Sequence, residues 1–505
     1  MHKQFNASTW LVDRHVDEGN GAKTALRYRG IDTSYQQLRS LSERVASGLR
    51  VFGVQPEDRV AMVMLDTPEF VATFLGAMRI GAIPVLTNPL LPGRDLARIV
   101  ADSRARLLVV SEERAQVVPD ILEGAPEIER VVSSGSESIA TGPTWTEFCA
   151  SDNDAQPYVT WRDSPGFWLC TSGTTGVPKL AMHTHGDIAD TVETYAKGVL
   201  DITSEDRFFS VGPMFHAYGL GNSLTFPLAV GATAILESTR PPTPDLVAAV
   251  MADEKPTLFF CIPTFYAALT NSDLPDNVFS SVRFGVSAAE ALPAETFNRF
   301  KDRFGVTILD GIGSTELLHI FLSNNPEQTR AGTSGVAVPG YELRIVDELG
   351  NETADGEPGI LMVKGDSAAS GYWCRSEMTR ATFVGEWTRT GDLYVRDDDG
   401  FYTYLGRGDD MLRVGGEWVS PTEVEGTLIE HEAVLEAAVV GEIGDDSVTR
   451  PVAYVISAPN ATASADELTD WCRDRLAGFK RPKRYEIVTE LPKTATGKIQ
   501  RYKLR

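Results

Sequence analysis

Apolar residues along this chain follow two alternating rhythms. Residues 59–65 (RVAMVML), 83–86 (IPVL) and 107–110 (LLVV) are short and almost wholly apolar, the pattern of strands buried on both faces. Between them, residues 38–51 place Leu38, Leu41, Val45, Ala46 and Leu49 on one helical face, and residues 68–80 and 96–101 also read as helices. Strands alternating with helices predict parallel β-α-β units. Residues 28–35 read as a small hairpin, and residues 133–157, rich in Ser, Gly, Thr and Asp, as a loop or linker. The alternation resumes with strands at 167–170 (FWLC), 207–211, 233–236, 258–262 and 282–286, and a helix starting near Leu220. From 333 to 363 it gives way to short alternating strands with Gly and Pro turns, which predict a small antiparallel sheet or barrel. From Gly406 onward, helices at 421–428 and 465–476 and strands at 434–440 and 452–456 suit a small α+β domain.

Composition narrows the class. At 505 residues the chain exceeds one hydrophobic core. A net charge of -23 argues against nucleic acid or an anionic membrane as main partner, though not against a small anion held by a local basic cluster. The five cysteines form no C-x-x-C pair, which points to a reducing compartment without a disulfide framework or zinc site. The N-terminus lacks the pattern of a secretion signal, and no apolar run reaches spanning length. A cytoplasmic protein is the expectation.

Candidate chemistry lies in six stretches. Thr171-Ser-Gly-Thr-Thr-Gly-Val-Pro-Lys179 packs two glycines, four hydroxyls and a lysine; a predicted strand precedes it, and a helix-permitting segment follows after a few residues. Glycines turn backbone N–H groups toward an anion, hydroxyls donate, and the lysine adds charge, so the stretch reads as a phosphate cradle. Its spacing is not that of the Walker A loop, and a plain polar connection is the alternative. His216 and Tyr218 lie between Pro213 and Gly219, where the histidine is either functional or structural. Gly311-Ile-Gly-Ser-Thr-Glu316 follows a predicted strand end, where α/β ligands bind; Glu316 suits Mg²⁺ or a helix cap. Asp392 of Thr390-Gly-Asp392, following a strand, suits ribose hydroxyls. Gly406-Arg-Gly-Asp-Asp410 alone reads as a solvated turn. Pro492-Lys-Thr-Ala-Thr-Gly-Lys498 ends a basic segment that begins at Phe479; a disordered tail and an anion-facing cluster both fit, and the strand-like 485–488 favours order.

Together and in this order, these stretches resemble the AMP-forming adenylate ligase superfamily of acyl- and aryl-CoA synthetases, peptide-synthetase adenylation domains and beetle luciferases, over essentially the whole chain. GIGSTELLHIFLSN (311–324), GTSGVAVPGYELRIVD (332–347), SGYWCRSEMTRATF (370–383) and GRGDDMLRVGGEWVSPTEVE (406–425) are most similar to benzoate-CoA and related aryl-CoA ligases. Two positions depart. His216 stands where benzoate ligases tend to have Phe, and Ala289 where a glycine is common; a methyl on the pocket wall would shift preference among acids by ~1–3 kcal/mol.

The resemblance implies a large N-terminal domain (1–408) of two α/β subdomains plus a small β-barrel, and a small mobile α+β C-terminal domain (409–505) hinged near Asp409. It implies ATP-dependent activation of a benzoate-type acid to an acyl-adenylate, then transfer to CoA, with loading of a carrier protein's phosphopantetheine as the alternative. ATP would meet Thr171, Ser172, Gly173, Thr174, Thr175, Gly176 and Lys179 at its β/γ-phosphates, and Ala289, Glu290, Gly311, Ile312, Gly313, Ser314, Thr315, Asp392, Arg407 and Lys498 elsewhere. Lys498, His216, Glu316 and Thr315 are the implied catalytic residues, with Glu316 as the Mg²⁺ ligand. The aryl ring would lie among His216, Ala217, Tyr218, Ala288, Gly311, Gly313, His319 and Ile320; a core role for His319 stands beside that reading. CoA would meet Gly415, Gly416, Glu417, Trp418, Arg481 and Lys483. A monomer or homodimer is expected.

Overall fold

The short apolar runs pair in register as parallel strands. The computed structural model describes residues 3–140, 142–150, 156–172, 178–414, 417–443, 449–458, 461–493 and 499–504. In it Val60, Ala61 and Met62 lie opposite Pro84, Val85 and Leu86 on one side and Leu107, Leu108 and Val109 on the other. These residues are buried, which is why no polar alternation marks the strands. Among the described residues this sheet has six strands in the order Arg130–Ser133, Leu107–Val110, Arg59–Val63, Ile83–Leu86, Pro165–Ser172 and Pro178–Thr184. All neighbours are parallel except the last pair, which forms an antiparallel hairpin.

A second sheet, nine-stranded among the described residues, has a parallel centre running from Ile308–Gly313 through Phe284–Ser287, Leu258–Cys261, Arg207–Ser210 and Thr233–Leu236 to Thr24–Tyr28. Antiparallel strands extend both ends. The hairpin expected at 28–35 is Thr24–Tyr28 with Ile31–Ser34, and the helix Tyr35–Val51 follows directly. Ser34 caps it, accepting from Gln37 N while the Gln37 side chain accepts from Ser34 N. The region 333–363 contributes to a five-stranded antiparallel sheet that includes Trp387–Arg396 and Tyr402–Arg407. At the C-terminal end, strands Val434–Ile443, Thr449–Ser457 and Arg484–Ile487 pack on helices Pro421–Ile429 and Ala465–Arg475 around Val424, Leu428, Val439, Val455 and Leu468. The basic segment after Phe479 therefore leads into an ordered strand. No helix among the described residues is long and apolar enough to cross a membrane.

Two sequence expectations change, and one strand is added. The stretch 133–157 contains a short helix, Trp145–Phe148, opened by a Thr144/Glu147 capping box and anchored by the buried Phe148. Asp392 lies inside the strand Trp387–Arg396 instead of after a strand. The helix expected a few residues after the cradle begins at His185, and the strand Pro178–Thr184 between them is an addition: Leu180 and Ala181 are buried on opposite faces, and the third buried position is a histidine, which hides the apolar signal.

Candidate active site

The hairpin carries the flanks of the stretch expected to meet phosphate. Thr171 pairs with Lys179 and Ser172 with Pro178, so both flanks of the cradle are held by one ladder. Gly173, Thr174, Thr175 and Gly176 lie outside the described residues, as do Gly415, Gly416 and Lys498. The Lys179 ammonium sits 4.6 Å from the centroid of the Tyr372 ring. The Tyr372 hydroxyl donates to Glu316 Oε1 at 2.5 Å. Burial first, and then the neighbouring carboxylate, push this phenol's pKa well up, so it remains a donor. Beside Glu316, the Thr315 carbonyl is 2.8 Å from His183 Nε2, and His183 Nδ1 is 2.7 Å from Asp187 Oδ2. His183 and Asp187 are both buried, so this pair fixes the turn that carries Thr315 and Glu316.

Asp392 lies opposite Arg407 across paired strands, and Arg407 Nη1 donates to Asp392 Oδ1 and to the Thr390 carbonyl, each at 3.0 Å. Gly391 between them has φ of +78°, and a Cβ there would meet Arg407 Nη2 at 3.0 Å, so glycine is required. Arg407 also feels the charge of Glu316, which puts the Asp392 pair within electrostatic reach of the Glu316 turn.

The residues expected to receive the acid lie near the carboxyl ends of the second sheet's strands. Met214 N donates to Asp66 Oδ1 at 3.1 Å, and the buried Asp66 is paired with Arg240, which braces this loop from behind. Its end, His216, opens the short helix Ala217–Leu220. A Cβ on Gly219 would lie 2.1 Å from the Pro213 carbonyl, which accounts for the glycine of that segment. Tyr218 donates its hydroxyl to Val286 O at 2.9 Å and Cys261 O at 3.2 Å, so it offers its ring and not its hydroxyl to the surroundings. Ala288 and Ile320 are buried nearby in the same core cluster.

His319 is enclosed by the rings of Tyr195, Tyr218 and Phe226 and is 2% exposed. Its Nε2 lies 3.3 Å from Tyr218 O and 3.2 Å from Asn222 Oδ1, both acceptors, so the ring proton belongs on Nε2. Nδ1 is then a buried lone pair without a partner among the described residues. Burial pulls the imidazole pKa down to about 3, which keeps it neutral.

Gly311 and Gly313 have a structural cause of their own. The strand Ile308–Gly313 pairs with Ile320–Ser323 across a bulge, and a Cβ on Gly313 would meet His319 O at 2.5 Å. Ala289 is exposed, with φ of +77°, so the alanine in place of glycine carries backbone strain there. Glu290 Oε2 accepts from Thr264 N at 3.4 Å, while Ile312 lies in the bulged strand, opposite Leu322, and Ser314 follows its end. Arg481 and Lys483 direct their charged groups to the carbonyls of Leu476 and Gly478, and Glu417 is exposed. The backbone of Asp409 lies in the short turn Gly408–Asp410.

Sequence reasoning missed two groups. Asp310 is 6% exposed, burial holds its carboxyl well above the usual carboxylate range, and Oδ1 has no partner among the described residues. An acidic residue ending the apolar run ILDG was the available signal. The other is Tyr372, which stands 56 positions from the glutamate it touches. A cleft of about 1020 Å³ opens between Arg94, Arg98 and Arg375 on one hand and Asp102, Asp120 and Glu123 on the other, with balanced charge and none of the predicted site residues in its lining.

Comparison with known proteins gives the family and the fold. The sequence model of the AMP-binding enzyme family matches residues 12–373, and that of the AMP-binding enzyme C-terminal domain matches residues 423–498. The chain is 45% identical to the benzoate–CoA ligase of Thauera aromatica, over 100% of this chain and 96% of that one. Its fold is similar to a benzoate CoA ligase from Burkholderia xenovorans (TM-score 0.93, 43% identity, 99% of this chain and 100% of that one). It is also similar to an anthranilate CoA ligase solved with anthranoyl-AMP (TM-score 0.95, 38% identity, 99% and 97%).

Proposed function

The chain belongs to the AMP-binding enzyme family, and we propose that it is an AMP-forming aryl-CoA ligase: it activates a benzoate-type acid with ATP and passes the acyl group to CoA. The observation that carries this reading is that one segment, Gly311 to Ile320, serves both halves of the site. At one end Thr315 and Glu316 join the Lys179 hairpin, and at the other His319 and Ile320 pack toward Tyr218. An acid resting beside Tyr218 and a nucleotide phosphate beside Glu316 therefore share a backbone.

In the first half-reaction the carboxylate attacks the α-phosphorus and pyrophosphate leaves. The chain's contribution is positioning and charge neutralisation. Thr171 and Lys179 would grip the β/γ-phosphates and Thr315 the α-phosphate. Asp392, steadied by Arg407, would accept from the ribose hydroxyls. Asp310 Oδ1 would meet the exocyclic amino group of the purine. Lys498 would bridge the attacking carboxylate and the α-phosphate.

Glu316 supplies a single oriented carboxylate, and among the described residues no group of three or more His, Cys, Asp or Glu gathers. That suits Mg²⁺, which keeps several waters and takes phosphate oxygens. When bound, it would offset the charge of the phosphates. In the second half-reaction the C-terminal domain would turn about Asp409. Gly415, Gly416, Glu417 and Trp418 would then line the way for the pantetheine arm, and Arg481 and Lys483 would release their carbonyls to meet the CoA phosphates.

The test is pyrophosphate release across benzoate, hydroxybenzoates, aminobenzoates, cinnamates and aliphatic acids, followed by product analysis with saturating CoA. An aromatic acid should lead, with its acyl-CoA as product. Preference for a short or medium aliphatic acid, or no acyl-CoA at saturating CoA, refutes the proposal.

A further inference from the structure

The strand Pro178–Thr184 is the last of its sheet, so its outer edge needs a cover. Residues Ser370–Trp373, from a distant part of the chain, supply it. Ser370 N donates to Met182 O, Met182 N to Gly371 O, and Trp373 N to Leu180 O, at 2.8 to 2.9 Å. The same strap reaches the Glu316 turn through Ala369 N to Glu316 O at 2.8 Å and Ser367 Oγ to Leu317 O at 2.8 Å. Tyr372 lies where the two attachments meet. It is 4% exposed and packs on Phe383, with its hydroxyl on Glu316 Oε1 and its ring under Lys179.

We propose that Tyr372 is a positioning residue for nucleotide binding: its hydroxyl orients the Glu316 carboxylate toward the cation of a metal–nucleotide complex, and its ring holds Lys179 beside it until phosphate arrives. Three physical points lead there. A glutamate side chain has free rotors, and one charge-assisted bond from a buried phenol fixes the carboxylate plane while leaving Oε2 outside that bond. A lysine over an aromatic face is held weakly enough to transfer to a dianionic phosphate. The strap ties Tyr372 to both the hairpin and the Glu316 turn through backbone bonds, so its hydroxyl is set by the frame and not by Glu316 alone. This deepens the reading of Glu316 as the cation's carboxylate and rests on it.

The test compares the full-length wild type with Tyr372→Phe, Glu316→Gln and the double variant. Phe keeps the ring, its packing on Phe383 and the Lys179 contact, and loses only the hydroxyl. Binding of a non-hydrolysable ATP analogue is measured with Mn²⁺, by the electron-spin signal of bound metal, and again in EDTA. Thioester formation from supplied benzoyl-adenylate is measured in parallel. Tyr372→Phe should weaken Mn²⁺-dependent binding about tenfold, the scale of one hydrogen bond to a charged group, while metal-free nucleotide binding and the thioester step stay within about twofold. The double variant should bind no more weakly than Glu316→Gln. Normal Mn²⁺-dependent binding by Tyr372→Phe, with Glu316→Gln impaired, overturns the role of Tyr372 and spares that of Glu316. Normal binding by Glu316→Gln overturns the reading of Glu316 itself. Equal losses by Tyr372→Phe with and without metal assign Tyr372 a general structural part and overturn the proposal.

Discussion

Replacing Tyr218 by Phe separates two uses of the same side chain. The hydroxyl is committed to two backbone carbonyls, Val286 O at 2.9 Å and Cys261 O at 3.2 Å. Val286 O also accepts from Tyr266 at 3.1 Å, so in the variant only Cys261 O loses this donor without that substitute. The ring stays, so no cavity opens. One neutral buried hydrogen bond is worth about 1 kcal/mol, roughly a fivefold change in the folded-to-unfolded ratio. With a urea slope of about 3 kcal/mol/M, the unfolding midpoint should fall by about 0.3 M. The ring face proposed to meet the acid is unchanged, so kcat/KM for the preferred aryl acid should stay within about threefold, an expectation set by unchanged packing. Tyr218→Ala removes the ring as well and should cost about 3–5 kcal/mol. Urea unfolding followed by tryptophan fluorescence and a coupled pyrophosphate assay measure the two quantities. An unchanged midpoint with a tenfold or greater fall in kcat/KM would mean that the hydroxyl meets the acid, and the assignment of Tyr218 as a ring wall would be wrong.

Three further expectations follow from particular residues. Ala289→Gly should raise stability by about 0.5–1 kcal/mol, because relief of about 1–2 kcal/mol of left-handed strain exceeds the extra freedom of an unfolded glycine; a lowered urea midpoint refutes it. His185 accepts from Ala7 N at Nδ1, and burial brings its pKa down from 6.5 to about 4. Its neutral form is thus favoured by folding: its contribution is complete above pH 6.5 and is lost from there down to about pH 4, at about 1.4 kcal/mol per pH unit. His185→Gln should remove that slope from urea midpoints measured across the interval, and an unaltered slope counts against it. Lys498→Ala should abolish adenylate formation while sparing thioester formation from supplied aroyl-adenylate; equal loss of both half-reactions argues against a rotating C-terminal domain.

The parallel strands were legible because burial on both faces leaves runs such as LLVV with no polar residue to confuse the period. The helix that begins at Tyr35 was found, though its capping box at Ser34 and Gln37 went unread. The strand Pro178–Thr184 was not legible, since one of its inward positions is His183, held by Asp187 and the Thr315 carbonyl instead of by apolar contact. Nor was Tyr372. Its role depends on a strap laid along a sheet edge, a long-range pairing that local pattern cannot express. For Ala289 the departure from glycine was visible, but its left-handed backbone was not, because that depends on how the surrounding turn is laid in three dimensions.

The two sides of the site are built in different ways, and this bears on how the acid and the nucleotide are chosen. The nucleotide side gathers residues from the hairpin, the Thr315–Glu316 turn, the Tyr372 strap and the Asp392–Arg407 strand pair, linked by backbone and charge-assisted bonds. A change in any one of them disturbs the rest, because each holds a neighbour's charged group in place. The acid side rests on side chains at the ends of adjacent strands of one sheet, and Tyr218 is fixed by carbonyls that remain whatever lies beside it. His319 is held chiefly by ring contacts and by a single protonated nitrogen, with its other nitrogen uncommitted among the described residues. Substitution there changes the volume and polarity of the enclosed space without touching a phosphate ligand. Variation at His319 and Ile320 is therefore the route by which this frame would change its acid while keeping adenylation intact.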